Sequence, residues 1–317
     1  MIEVVIPAYN AAPFLHETLD SVAAQTRRPD LVSVVDDAST DATRAIAEAA
    51  AQEFAARIRI QILRNEGPRG PSAARNTAIR RSTADFIALL DADDLMQPNH
   101  LALLAAALEA APDAVLSFGD TEVFAADKIL IPGLLQKSGV LALPAIAGPD
   151  GYWQLRDGIF APLLASGVFG TSACLFRRQA ADDAGLFDEA MMHGEDTDLF
   201  IRLALAGRFL FTRTQISRKR EHADNLSHDR NHLAFCHGTA RSLMKLSAPA
   251  WLAKLSPAQR VTLASAARFA VDSYLYHASR AGMTAYRRAA SLARQAGFGR
   301  LAAHPRHLLR LGVHALR

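Results

Sequence analysis

The sequence predicts an α/β fold: a mostly parallel, Rossmann-like sheet flanked by helices, followed by a helical C-terminal extension. Three observations carry this. Apolar strand-like runs at Glu3–Pro7, Leu31–Val35, Ile58–Ile62 and Phe86–Leu90 alternate with stretches of helical spacing, the pattern of βαβ units with right-handed crossovers. Most of these runs are nearly continuous in apolar residues, as strands covered on both faces are. From 231 onward Ala, Leu and Arg dominate and no strand-like run is found.

The elements follow in order. Glu3–Pro7 is a central strand, left by the loop Ala8-Tyr9-Asn10. Between Pro13 and Thr26, apolar residues at Phe14, Leu15, Leu19 and Val22 keep helical spacing. Leu31–Val35 ends in Asp36-Asp37-Ala38-Ser39-Thr40-Asp41, where Ser39 or Thr40 is expected to cap a helix over 42–55. Ile58, Ile60 and Ile62 alternate with Arg59 and Gln61, as in a strand with one polar face. Asn65 to Ser72 is a loop rich in turn formers, and a helix over 73–81 leads to Phe86–Leu90. A helix from Pro98 to Ala111 and a strand from Ala114 to Phe118 continue the pattern. Prolines and glycines between 120 and 150 predict irregular structure there, a lid or acceptor-facing loop. Residues 152–164 are expected to form a short helix carrying Trp153, and 170–176 a strand before a helix opened by Arg177-Arg178. A helix from Gly194 to Ala206, a strand at Phe209–Phe211 and a polar segment over 216–227 follow.

Composition narrows the function classes. Two cysteines, Cys174 and Cys236, stand far apart without CxxC spacing, so they are expected to give no metal site and no disulfide framework, which fits a reducing cytosol. Met1–Pro7 enters a strand without the basic start and long apolar run of a signal peptide. No uninterrupted apolar window reaches the roughly 18 residues of a membrane-spanning helix. The net charge of +3 hides an asymmetry: 13 Lys and Arg oppose only Asp272 from 231 onward, a net +12, while residues 1–230 hold 31 acids and 22 bases, a net −9.

The chemistry concentrates in the loops leaving strands one, two and four. Leu89-Leu90-Asp91-Ala92-Asp93-Asp94 places three carboxylates within four residues at the exit of a buried strand, where open α/β sheets bind ligands. Clustered acids repel one another unless a cation or hydrogen bonds offset the charge. A hard, oxygen-loving cation, Mg²⁺ or Mn²⁺, held by one or two carboxylates and substrate phosphates, suits such a cluster. Taken alone, the acids also fit a solvated helix start.

Five motifs in one order settle between these readings. They are Val4-Val5-Ile6-Pro7-Ala8-Tyr9-Asn10, Val35-Asp36-Asp37-Ala38-Ser39-Thr40-Asp41, Ala74-Arg75-Asn76, Leu90-Asp91-Ala92-Asp93-Asp94 and Gly194-Glu195-Asp196-Thr197-Asp198. Together they resemble the family-2 glycosyltransferases of GT-A fold over about residues 1–228, with 229–317 outside the resemblance as a basic helical extension. The resemblance implies a nucleotide-binding part over about 1–119 and an acceptor part over about 120–228. It further implies a nucleotide-sugar donor, usually a UDP-sugar, a divalent metal, and inversion at the anomeric carbon. By position it assigns Pro7, Ala8, Tyr9, Asn10 and Asp37 to the nucleotide and Arg75 to the pyrophosphate or ribose. Asp91, Ala92 and Asp93 go to the sugar–metal side, with Asp93 the direct metal ligand. Asp94 has no firm role. Asp196 is the expected general base, with Asp198 and Glu195 as fallbacks. His222 is a further metal-ligand candidate beside Asp91 and Asp93, and a mixed oxygen–nitrogen site is acceptable; His193 is a weaker one. Thr171 and Ser172 match the acceptor-side strand, and Trp153 either stacks on a sugar or packs in the core.

The acceptor implied is a glycan or a lipid-linked hydroxyl, in a cytoplasmic enzyme of cell-surface polysaccharide synthesis. The basic tail either lies on an anionic membrane as amphipathic helices or packs on the body or on a second subunit, giving a homodimer. Nucleic acid is not an expected partner, because the tail has few aromatics and the body is acidic. Two rivals remain: a nucleotidyltransferase, which would need a Gly-rich basic loop where Ala8-Tyr9-Asn10-Ala11-Ala12 stands, and a nucleotide- or sugar-binding protein without catalysis.

Overall fold

The computed structural model describes the chain apart from residues 149, 150, 166, 227, 316 and 317. The chain divides into two compact units: Met1–Ala190 with Leu199–His222, and Met191–Asp198 with Ala223–Arg317.

The first unit opens with β1 (Ile2–Ala8), α1 (Leu15–Ala23), β2 (Leu31–Asp36), α2 (Thr43–Glu53), β3 (Ile60–Arg64), α3 (Pro71–Arg81) and β4 (Phe86–Leu89). The first four strands are parallel, in spatial order β3-β2-β1-β4. The strand order reverses at β1, because the chain runs outward to β3 and then crosses back to β4. The exits of β1 and β4 therefore flank a topological switch point, where open sheets leave a crevice. Val4, Ile6 and Ala8 of β1 share a core with Leu15, Leu19, Val22, Ala47 and Phe54, so both helices are fastened by their apolar faces.

The sheet then turns mixed. β5 (Leu95–Met96), α4 (His100–Ala110), β6 (Ala114–Ala125), β7 (Lys128–Ile131), α5 (Leu134–Lys137), β8 (Ala145–Ala147), β9 (Trp153–Leu155), α6 (Phe160–Ala165), β10 (Cys174–Arg177), α7 (Arg178–Ala184), α8 (Glu195–Leu203) and β11 (Arg208–Arg220) follow. β10 inserts antiparallel between β4 and β6, and β11 runs parallel to β6. The antiparallel register Leu175 to Ala88 brings the turn before β10 to the exit of β4.

Several sequence expectations are corrected here. The helix expected over 152–164 is instead strand at Trp153–Leu155, paired with β8 and with Phe211, and helix only over Phe160–Ala165. The irregular stretch expected from 120 is sheet in its first part, where β6 continues to Ala125 and turns back as β7 through Ala126 in a left-handed conformation, and short pieces beyond. β11 likewise runs from Arg208 into the expected polar segment as far as Arg220, because β6 offers a partner along that length. Residues 171–173 form a 3-10 turn rather than strand. Neither Ser39 nor Thr40 caps α2; its N-cap is Ala42, and Asp41 takes the Thr43 N–H at 2.9 Å.

The second unit is helical: α9 (His232–Leu246), α10 (Pro249–Leu252), α11 (Pro257–Ala281), α12 (Met283–Gln295), α13 (Gly299–Ala302) and α14 (Pro305–Ala315). A capping box starts α11, with Ser256 and Gln259 each bonding the other's backbone N–H. Gly238 lets α9 approach residues 191–198: a Cβ there would lie 2.1 Å from the His193 carbonyl oxygen. Among the described residues, no helix is long and apolar enough to cross a membrane.

His100 at the start of α4 is fully buried and donates Nδ1–H to the Ile216 carbonyl at 2.9 Å. Burial pushes its pKa down to about 4. The unfolded chain then binds more protons than the native one between about pH 6.5 and 4, so stability falls as pH drops through that window, by roughly 3 kcal/mol in total. Urea titrations of the wild type and His100→Asn from pH 7 to 4.5 are expected to show a shallower acid loss in the variant. Equal slopes would remove His100 as the cause.

Candidate functional site

The exits of β1 and β2 are laced into one piece. The Asn10 N–H donates to Ser39 Oγ at 3.1 Å, and Asn10 Oδ1 accepts the Thr40 N–H at 2.8 Å. The Asp37 N–H donates to the Ala8 carbonyl at 2.8 Å, continuing the β1–β2 ladder past Pro7. Asn10 and Ala38 both sit at positive φ, 49° and 60°. Non-glycine residues hold such backbone only where their surroundings over-determine it, and here the lacing does so. Asp37 is buried; one oxygen accepts the Asn65 amide and the other the Gly70 N–H at 2.8 Å. Gly70 has φ 136°, open only to glycine at low cost. The loop after β3 is thereby drawn to the same edge. Tyr9 stays exposed, with the Arg69 guanidinium 4.4 Å from its ring centroid.

The exit of β4 carries the acids, and each has a different fate. Asp91 pairs with Arg75, which is buried at the start of α3, at 2.7 Å. The Asp91 N–H donates to Ser172 Oγ at 3.0 Å, as the β10 register requires. Ala92 is buried, and its carbonyl accepts the Thr18 hydroxyl at 3.0 Å. Asp93 Oδ2 meets His222 Nε2 at 2.9 Å, and the Phe14 ring backs that imidazole at 4.5 Å. Asp94 is buried and accepts Ser172 Oγ–H at 2.6 Å and the Arg220 N–H at 2.9 Å. Burial first, then the charges of Asp93 and Asp91, push its pKa well above the carboxylate range. Arg220 also donates Nε–H to the Asp93 carbonyl at 3.1 Å and reaches Glu17 at 2.5 Å.

The donor set fits a divalent cation. Ligand atoms on adjacent vertices of an octahedron with bonds of about 2.1 Å stand about 3 Å apart, which is the spacing of Asp93 Oδ2 and His222 Nε2. Within the first unit the structure thus brings together Pro7–Asn10, Asp37, Arg75, Asp91–Asp93 and His222 along the strand exits.

The base candidates stand at the start of α8, in the second unit's segment Met191–Asp198. Asp196 is half-buried, and its Oδ1 accepts the Thr197 N–H at 2.6 Å. Asp198 is fully buried against Ser242 Oγ at 2.8 Å and Lys245 Nζ at 2.7 Å. Both partners lie on α9, so the carboxylate of this fallback candidate is engaged in a buried pair. Glu195 is buried. The His193 ring lies 4.9 Å from Phe235, and burial lowers its pKa. Trp153 is half-buried, with the Arg213 guanidinium 4.2 Å from its ring.

Sequence reasoning places Gly67, Arg69 and Gly70 on the loop facing this edge, as the Gly70 N–H on Asp37 bears out; it missed Asn65 and Arg220 and gave Ser172 a different place. Asn65 opens the turn-rich loop, which was its only signal. Arg220 stands two residues before His222, a spacing that puts both side chains on one side of an extended chain. Ser172→Ala is expected to lower stability by about 1–3 kcal/mol, because it strands the Asp91 N–H and an oxygen of the buried Asp94. Urea denaturation of the variant checks this; an unchanged midpoint would show that the hydroxyl is dispensable.

Residues 3–124 match the family model described as Glycosyl transferase family 2. The chain is 30% identical over 210 residues to the succinoglycan biosynthesis protein ExoO of Rhizobium meliloti, an alignment covering 64% of this chain and 56% of that protein. It thus spans little more than half of that relative's length. Among solved structures, S. aureus TarS 1-349 in complex with UDP-GlcNAc superposes with TM-score 0.58 at 17% identity, covering 94% of this chain and 90% of that one. The mannosyltransferase PcManGT from Pyrobaculum calidifontis, in complex with GDP-Man and Mn²⁺, gives TM-score 0.59 at 21% identity, covering 99% and 86%. The strand exits described above lie within or beside the stretch 3–124 that is similar to glycosyl transferase family 2, on a sheet with the GT-A fold of the superposed structures.

Proposed function

We propose that the protein is an inverting glycosyltransferase that moves a sugar from a nucleoside-diphosphate donor, a UDP-sugar, to a hydroxyl of a glycan or lipid-linked acceptor in polysaccharide synthesis. The observation that carries this is the Asp93–His222 contact at 2.9 Å, standing beside the Arg75–Asp91 pair at a sheet switch point. The nucleotide sugars bound by TarS and PcManGT support the donor class. The family match and ExoO support the pathway class.

Asp37 faces the edge with fixed backbone and carboxylate acceptors, suited to an N–H of a pyrimidine ring. Tyr9, exposed beside it, offers a face on which the base can lie. Arg75 is held in place by Asp91 before any donor arrives, so its charge is aimed at the diphosphate without reorganisation. Asp93 and His222 are the residues that would hold Mn²⁺ or Mg²⁺, which supplies Lewis-acid stabilisation of the departing diphosphate. Asp196, at the start of α8, takes the acceptor hydroxyl's proton as the new bond forms. The +12 tail over 231–317 suits an enzyme that works against an anionic membrane surface.

Calorimetric titration with UDP, GDP, CDP and dTDP, with and without Mn²⁺, tests the donor class. UDP is expected to bind best and only with metal; a folded protein that binds none of the four would refute the reading. Asp93→Ala is expected to weaken Mn²⁺-dependent UDP binding at least about tenfold, or 1.4 kcal/mol. Asp196→Asn is expected to keep UDP binding and to lower transfer by about 10²–10⁴. Turnover equal to the wild type would release Asp196 from the role.

A further inference from the structure

The second unit contains a cluster that neither the family match nor the donor site uses. His232 and Cys236 stand one turn apart on α9, a spacing that puts both side chains on one face of the helix. His277, near the end of α11, meets them from the neighbouring helix. His232 Nε2 and His277 Nε2 are 3.1 Å apart, and Cys236 Sγ lies 3.6 Å from His232 Nε2. The three donor atoms all fall within 4.8 Å of one another. The two imidazoles do not stack: their planes make 74°, with centroids 4.3 Å apart. Their Nε2 corners, 3.1 Å apart, are closer together than their ring centres.

We propose that His232, Cys236 and His277 bind a zinc-class divalent cation that fastens α9 to α11. The spacing supports it. Tetrahedral Zn²⁺ with Zn–N of about 2.05 Å and Zn–S of about 2.3 Å sets N–N edges of about 3.3 Å and S–N edges of about 3.6 Å. The observed 3.1 Å and 3.6 Å match these edges to within a few tenths. The donor types fit as well: thiolate and imidazole select Zn²⁺ over Mg²⁺ or Mn²⁺, which favour oxygen. This site is therefore chemically distinct from the carboxylate-rich edge of the sheet. His232 is exposed, which leaves the fourth position to water or an outside ligand. On binding, the Cys236 thiol releases its proton to solvent and no electron changes hands. Cysteine spacing along the sequence does not reveal such a site, because its signature is H-x₃-C on one helix completed by a histidine from another. Ser273 Oγ, 3.8 Å from Cys236 Sγ and one turn before His277 on α11, stands beside the sulfur from the same direction.

Co²⁺ titration of the full-length protein tests the proposal, with Cys236→Ser and His277→Gln as comparisons. The wild type is expected to develop a thiolate-to-cobalt charge-transfer band with visible bands of tetrahedral intensity, saturating at one equivalent and displaced by Zn²⁺. The band is expected to vanish in Cys236→Ser and to weaken or lose its tetrahedral intensity in His277→Gln, with circular dichroism unchanged in both. The carboxylate site cannot mimic this signal, because it has no sulfur ligand and Cys174 is buried within the sheet. Absence of the band in folded wild type, or its persistence in Cys236→Ser, overturns the proposal and leaves a hydrogen shared between the two rings as the reason for the contact.

Discussion

The first unit depends on how one crowded set of carboxylates is held at the end of β4. Asp94 is the innermost of the three, and water cannot screen it. The fold answers with fixed donors from two remote segments, the Ser172 hydroxyl and the Arg220 backbone N–H. Those two bonds set the loop's shape. Asp91 is then turned to Arg75 and Asp93 to His222. Three acids within four residues therefore have three different surroundings: Asp91 is paired with Arg75, Asp93 with His222, and Asp94 is framework. In a low-dielectric setting such a network stabilises only when every member is paired, which accounts for the number of contacts spent on so few residues.

The local part of this was legible from residue order. The βαβ alternation predicts parallel strands, and parallel strands place their exit loops on one edge. Tyr9, Asp37 and Asp91 could thus be grouped although they are far apart in the chain. What was not legible depends on sheet pairing across long separations. β10 is antiparallel and inserted between β4 and β6, and nothing local announces that. Only the register Leu175 to Ala88 makes Ser172 a neighbour of Asp91. The misjudged stretches have the same cause. Residues 153–155 are compatible with helix and become strand because β8 and β11 offer edges to pair with. Asp198 read as one more acid at a helix start, and its pairing with Lys245 is a tertiary fact.

The two units solve different electrostatic problems. The first gathers acidic groups around a site that needs positive charge. The second is rich in Arg and spreads that charge along helices, with a short run of aromatic and imidazole side chains between α9 and α11. His277 is flanked there by Tyr276 at 4.9 Å and by His232. Counted over the two units, the formal charge is −5 in the first and +8 in the second, so each body has its own ionic chemistry.

β11 has a consequence for how such a protein can change over generations. Its pairing with β6 slips between Phe211 and Gln215 and again before Ser217, and beyond those slips it delivers Arg220 and His222 to the acids. Side chains alternate faces along a strand, so loss or gain of one residue between the slips and His222 would turn both away. The exposed hairpin tip at Ala126–Asp127 follows the last β6–β11 pair, Phe124 with Arg220, and can lengthen without that penalty. Length variation should therefore accumulate at the tip and be purged from 215–222, leaving the spacing of those eight positions as a ruler set by the carboxylates it must meet.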